Sequence, residues 1–210
     1  MTSGPSDWMT IGYLPFALRR RYGPVALPRP LPTVWVVSPG GVGTTALMAH
    51  LERFRRVNAR DDSDGLKHLP RPPPLPERAE VRFLFISGPE ISGPEAEVCA
   101  SLARRGWCED QAANPGAPLA LLRRGRSQRR ALSRAIRRQR RCWTQAAPAR
   151  TLHLDYDKVW EAGPRIAAFL GIADPAFVAG FPPRRPRTGS GAVPVRAAEA
   201  AHAQESPRLP

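Results

Sequence analysis

Three short apolar runs stand out along a chain otherwise broken by charge and proline. Residues 33–38 (TVWVVS) are β-branched, aromatic and uncharged, the pattern of a strand covered on both faces. From Thr44 the spacing changes: Leu47, Met48, Leu51 and Phe54 recur at three- and four-residue steps, which predicts a helix over 44–55. Residues 81–87 (VRFLFIS) and 151–156 (TLHLDY) predict two further strands. Helices are expected over 95–105, stopped by Gly106, and over 159–170, stopped by Gly171. Another is expected over 119–143, thin on its apolar side (Leu122, Leu132, Ala135, Ile136), with Gly125 as a point of interruption. Strands alternating with helices predict an α/β fold, a three-layer sandwich around a central parallel sheet.

The 25 prolines crowd into 24–32, 70–76, 182–186 and the final residues, so the ordered domain is expected over 30–188. It would be flanked by an irregular segment, 1–29, in which 11–18 reads as a short docking stretch, and by a tail, 189–210, rich in small residues and expected to be disordered. Residues 57–76 (VNARDDSDGLKHLPRPPPLP) show neither strand nor helix period, and a loop of that length points to function rather than connection.

Charge adds a preference for anions. The formal net charge of +14 comes almost entirely from arginine, which predicts attraction to nucleic acid, anionic lipid or phosphorylated and sulfated ligands. Residues 123–141 alone hold ten arginines, either a polyanion-contacting helix or a solvated one lying over the sheet. Trp143 is the one aromatic stacking partner nearby, and no helix-turn-helix or zinc-finger pattern accompanies it. The three cysteines, Cys99, Cys108 and Cys142, form no CxxC pair, so a metal site is not expected and reduced thiols in the cytoplasm are. No apolar run approaches the length of a membrane span, and the N-terminus is a poor secretion signal.

The chemistry concentrates in 33–45, TVWVVSPGGVGTT. A strand delivers the chain to the carboxyl edge of the sheet, glycines let successive N–H groups turn toward an anion, and a helix N-terminus adds partial positive charge. Gly40, Gly41, Gly43, Thr44 and Thr45 meet those needs, whereas a turn serving packing alone would require less polarity. The triphosphatase signature GxxxxGK[ST] is not met, because Gly43 is followed directly by Thr44 with no lysine between them.

The loop resembles that of the sulfotransferases that use 3′-phosphoadenylyl sulfate, in which PKSGTT or PRSGTT follows the first strand. Pro39, Gly43, Thr44 and Thr45 match, while Gly40–Gly41–Val42 replace the basic residue and the serine. Residues 153–172, HLDYDKVWEAGPRIAAFLGI, are similar to that family's LRYEDL strand and its FLGL helix end, through Tyr156, Asp157, Phe169, Leu170 and Gly171. LKHLP at 66–70 resembles KTHLP, whose lysine and histidine serve catalysis; the resemblance therefore implies roles for Lys67 and His68, although adjacent residues of an extended loop point apart.

The resemblance further implies 3′-phosphoadenylyl sulfate as co-substrate, a hydroxyl or amine acceptor, and a 3′-phosphate site. That family takes the last from an arginine after the second strand, where this chain has Ser87–Gly88–Pro89; Ser101 with Arg104 or Arg105, and Arg187 in PRTGSG, are the replacements. Two other classes remain open: a basic nucleic-acid-binding protein, and a degenerate phosphate-loop nucleotide kinase or triphosphatase, the latter disfavoured by the missing loop lysine.

Overall fold

Strand alternation sorts the apolar residues into two sets, and the computed structural model puts one set on each face of a small parallel sheet. It describes residues 6–40, 44–75, 80–87, 116–122, 125–145 and 148–184. The strands are β1 (Val34–Val37), β2 (Arg82–Ser87) and β3 (Thr151–Asp155), in the order β1-β2-β3, all parallel, with Val36 opposite Leu84 and Leu84 opposite Leu152. The helices among the described residues are α1 (Ser6–Tyr22), α2 (Thr44–Leu51), α3 (Pro118–Leu121), α4 (Gly125–Gln145), α5 (Gly163–Leu170) and α6 (Pro175–Ala179). The fold is thus mixed α/β with a parallel sheet, as the alternation predicts. No helix among the described residues is long and apolar enough to cross a membrane.

One face carries Val34, Val36, Leu84, Ile86, Leu152 and Leu154, packed against Leu47, Met48 and Leu51 of α2, Ile166 and Leu170 of α5, and Phe177 of α6. Each such side chain, fully buried, contributes about 1.5–3 kcal/mol of hydrophobic stabilisation. The other face carries Trp35, Val37, Phe83 and Phe85, covered by Leu66, Leu69 and Trp143. Side chains on neighbouring strands stack in the same alternation, so register and burial enforce each other.

The outer edge of β1 is closed by the start of the long loop, which bridges Val34 in parallel at Val57: Val34 N–H donates to Arg56 O at 3.1 Å and Asn58 N–H to Val34 O at 3.2 Å. Asn58, fully buried, accepts from Val36 N–H through Oδ1 at 2.7 Å and donates from Nδ2 to Val36 O at 3.3 Å. Its amide satisfies both backbone groups of Val36, as a paired strand would, and so carries the bridge one residue pair further along this edge.

Element ends depart from the sequence reading for identifiable reasons. α2 stops at Leu51, and Phe54 leaves the helical path on a tight turn, its N–H bonding Leu51 O at 2.9 Å, to join an aromatic group with His50 and Phe177. The helix expected over 159–170 is split into a single 3-10 turn, Val159–Glu161, and α5, because Pro164 lacks the N–H needed to continue a helix but suits the first turn of a new one. Gly171 ends α5 in the left-handed conformation (φ 61°), as its position predicts. The basic stretch divides into α3 and α4, the second beginning at Gly125.

The expectation of an irregular 1–29 is corrected by α1. Ala17 is fully buried against Ala117 and Leu132, and Arg20 is tied to Asp62 and to Gly65 O, contacts that no local periodicity announces. The helix expected over 95–105 and the tail 189–210 lie outside the described residues.

Candidate functional site

β1 delivers the chain to its carboxyl end at Val37, and Ser38, Pro39 and Gly40 carry it off the sheet. Gly40 has φ 106°, a conformation that a side chain strains, so the turn toward α2 depends on glycine there. α2 then starts with Thr44, buried, and Thr45, exposed, beside N–H groups that have no partner within the helix. Gly41 and Gly43 lie outside the described residues, as do Ser101, Arg105 and Arg187.

The aperiodic loop returns to this turn. After Asn58 it makes a compact acidic knot in which every aspartate holds backbone. Asp61 accepts from Ser63 N–H, Asp62 from Lys67 N–H, and Asp64 from the N–H groups of Ala59 and Leu66. Asp62 sits at φ 63°, which aspartate tolerates, and its other oxygen is paired with the buried guanidinium of Arg20. The DDSDG run is therefore a folded support, and the described residues hold no cluster of three or more metal-ligating side chains.

The knot aims LKHLP along the end of β1. Ser38 N–H donates to Lys67 O at 2.9 Å, and His68 Nδ1 lies 2.9 Å from Ser38 O. As a carbonyl can only accept, Nδ1 carries the proton and Nε2 keeps its lone pair. Burial holds His68 below its ordinary 6.5, against the opposing pull of the Ser38 bond and Asp62, so the ring is neutral at neutral pH.

Lys67 turns the other way. Its Nζ donates to Arg60 O at 2.6 Å and lies 3.4 Å from Thr45 Oγ1. Burial lowers its pKa from the ordinary 10.5, while Asp62 and Asp61 act to raise it. The glycine turn without a lysine of its own thus has an ammonium brought to it from 22 residues further along the chain. The two side chains point apart, as their adjacency predicts, yet both border the same turn.

Three further residues belong to this arrangement. Ser38 Oγ is buried and makes no hydrogen bond. Gln139 of α4 donates from Nε2 to Leu69 O at 2.8 Å, with Ser38 O and His68 O at 3.5 and 3.4 Å, fastening the helix to the loop. Asp62 orients Lys67 through its N–H. The sequence signal for Gln139 is its place in the buried stripe of α4, between Ile136 and Trp143 at three- and four-residue steps. Compared with models of protein families, with curated proteins and with solved structures, the chain has no significant match.

Proposed function

We propose that the turn between β1 and α2 binds the anionic 5′ end of a nucleotide sulfate donor, and that the protein is a sulfotransferase-like enzyme acting on a hydroxyl or amine. The observation that carries this is Lys67 Nζ at 3.4 Å from Thr45 Oγ1, a cation supplied to a glycine turn and helix N-terminus that lack one. The unspent hydroxyl of Ser38 and the exposed hydroxyl of Thr45 add donors at the same place.

Sulfuryl transfer is chiefly positioning and charge stabilisation around an in-line displacement. The acceptor oxygen bonds sulfur as the bridging oxygen departs with adenosine 3′,5′-bisphosphate. Lys67 stabilises charge on that leaving oxygen. His68, held through Nδ1–H by Ser38 O, takes the acceptor's proton on Nε2; a neutral ring is the form this requires.

The test is calorimetric titration of the full chain with adenosine 3′,5′-bisphosphate, with ATP for comparison. The bisphosphate is expected to bind more tightly, and Lys67→Met to weaken it by about tenfold or more, the loss of a charge-assisted contact of about 1.5–3 kcal/mol. Thr44→Ala is expected to cost about 1–3 kcal/mol. Equal affinity for ATP, or no binding of either, overturns the reading.

A second reading rests on a separate observation. Arg130, Arg134, Arg137, Arg138 and Arg141 form an exposed row on α4, a surface suited to a nucleic-acid backbone. Binding to nucleic acid that collapses with salt, joined to indifference to the bisphosphate, would favour it.

A further inference from the structure

Arg20, on α1, lies outside the turn between β1 and α2, yet one carboxylate links it to the cation that serves that turn. Asp62 accepts from Lys67 N–H through Oδ1 at 2.8 Å, and its Oδ2 is paired with Arg20. The second arm of the guanidinium, Nη1, donates to Gly65 O at 3.0 Å. The pair is enclosed, the two side chains being 7% and 15% exposed, so water screens these charges weakly. Of the two carboxylates acting on the Lys67 ammonium, Asp62 acts more strongly than Asp61, which is exposed. Asp62 therefore plays two opposed parts. Its hydrogen bond sets the Lys67 backbone, while its charge attracts the Lys67 side chain.

An ammonium on a flexible four-carbon stem is drawn to whichever nearby carboxylate is left unpaired. The Lys67 ammonium lies elsewhere, on Arg60 O at 2.6 Å and 3.4 Å from Thr45 Oγ1. The pairing of Asp62 with Arg20 is what leaves it there. We propose that Arg20 is a positioning residue for Lys67: by neutralising Asp62 it keeps the ammonium at the glycine turn. The inference rests on the sulfate-donor reading for its consequence in binding, but the placement of Lys67 is measurable with no ligand present.

Lys67 and Lys158 are the chain's two lysines, so carbon-13 labelling of lysine leaves few signals to assign. The experiment is the nuclear Overhauser contact between the Lys67 ε-methylene and the Thr45 methyl in the ligand-free full chain. Lys67→Met assigns the signal by removing it. The contact is expected in the parent and lost in Arg20→Met, which keeps a long apolar stem but frees Asp62 to take the ammonium. Arg20→Gln, which keeps a donor and lacks the charge, carries the same expectation and serves where Arg20→Met does not fold. The contact is expected to return when Asp62→Asn is added to either variant. The new amide oxygen still accepts from Lys67 N–H but no longer attracts the ammonium. Asp62→Asn alone breaks the same ion pair and is expected to keep the contact.

No contact in the parent, survival of the contact without Arg20, or failure to recover it with Asp62→Asn overturns the proposal. Loss in Asp62→Asn alone also overturns it, since Lys67 would then merely follow the docking of α1. Adenosine 3′,5′-bisphosphate is expected to bind Arg20→Met about tenfold more weakly, as for Lys67→Met, and to regain affinity in the double variant. Contacts that change as stated while the bisphosphate binds no form of the protein overturn the donor reading alone and leave the role of Arg20 standing.

Discussion

The two faces of the sheet are built by different means. The face of Val36, Leu84 and Leu154 is closed by three helices chiefly through carbon contacts, with polar ties at its margin from His50 Nε2 to Phe177 O at 2.9 Å and from Arg55 to Gly171 O at 2.7 Å. The face of Trp35, Phe83 and Phe85 is covered by a loop with no regular structure and by one helix whose outer side is arginine. What fixes that cover is a short set of side-chain bonds to backbone: Trp143 Nε1 to Leu69 O at 2.9 Å, Gln139 Nε2 to the same oxygen, and His68 Nδ1 to Ser38 O. Apolar burial holds the first face. Polar stitching gives the second its geometry, and the candidate site at the β1–α2 turn lies at those stitches.

The largest test of that contrast is Trp143→Ala. The indole is fully buried, lies edge-on to Phe83 with centroids 5.1 Å apart, stacks on Phe85, and donates to Leu69 O. Its removal is expected to cost about 3–5 kcal/mol in urea unfolding, from lost burial and a cavity. It should also release the loop, so amide exchange over 66–75 should rise well beyond that over α2 and α5. An equal rise on both faces would show that Trp143 is ordinary core and that the stitching is incidental.

Asn58→Ala comes next. It leaves Val36 N–H and Val36 O buried without partners, at about 1–3 kcal/mol for each group. Asn58→Leu, which restores volume but no hydrogen bond, should recover little of the loss. Full recovery by leucine would make Asn58 a packing residue.

The contrast also explains what was legible in the sequence. The three strands, α2 and the Gly171 stop could be read because each announces itself locally, through period, composition or a special backbone conformation. The cover of the second face could not. α1 is fixed by Arg20 reaching Asp62 across 42 residues, and the loop by Gln139 reaching Leu69 across 70. Of the site, Gly40, Thr44, Thr45, Lys67 and His68 stand out as motif letters, and the structure brings them to one turn. Ser38 and Asp62 do not, because a serine after a strand and an aspartate in an acidic run are ordinary until their partners are known.

The smallest expected effect tests the stitch itself, through its one titratable member. Unfolded, His68 titrates near 6.5; folded, burial holds it lower, with Asp62, Lys67 and Arg20 as the charged groups acting on it. In the interval between the two values the unfolded chain binds the proton and the native one does not, so stability falls as pH falls. The contribution is complete above 6.5 and declines below it by no more than about 1.4 kcal/mol per pH unit, the slope for one proton. His153, also lowered by burial, acts in the same direction, so the chain should show a combined loss. His68→Asn places an amide donor near the position of Nδ1 and removes the titration. Urea unfolding at pH 8 and pH 5.5 is then expected to differ less for this variant than for the parent, with His153→Gln removing a further part. A variant that keeps the full acid loss would show that His68 accepts its proton without disturbing the Ser38 contact, and a neutral ring would no longer follow from the fold.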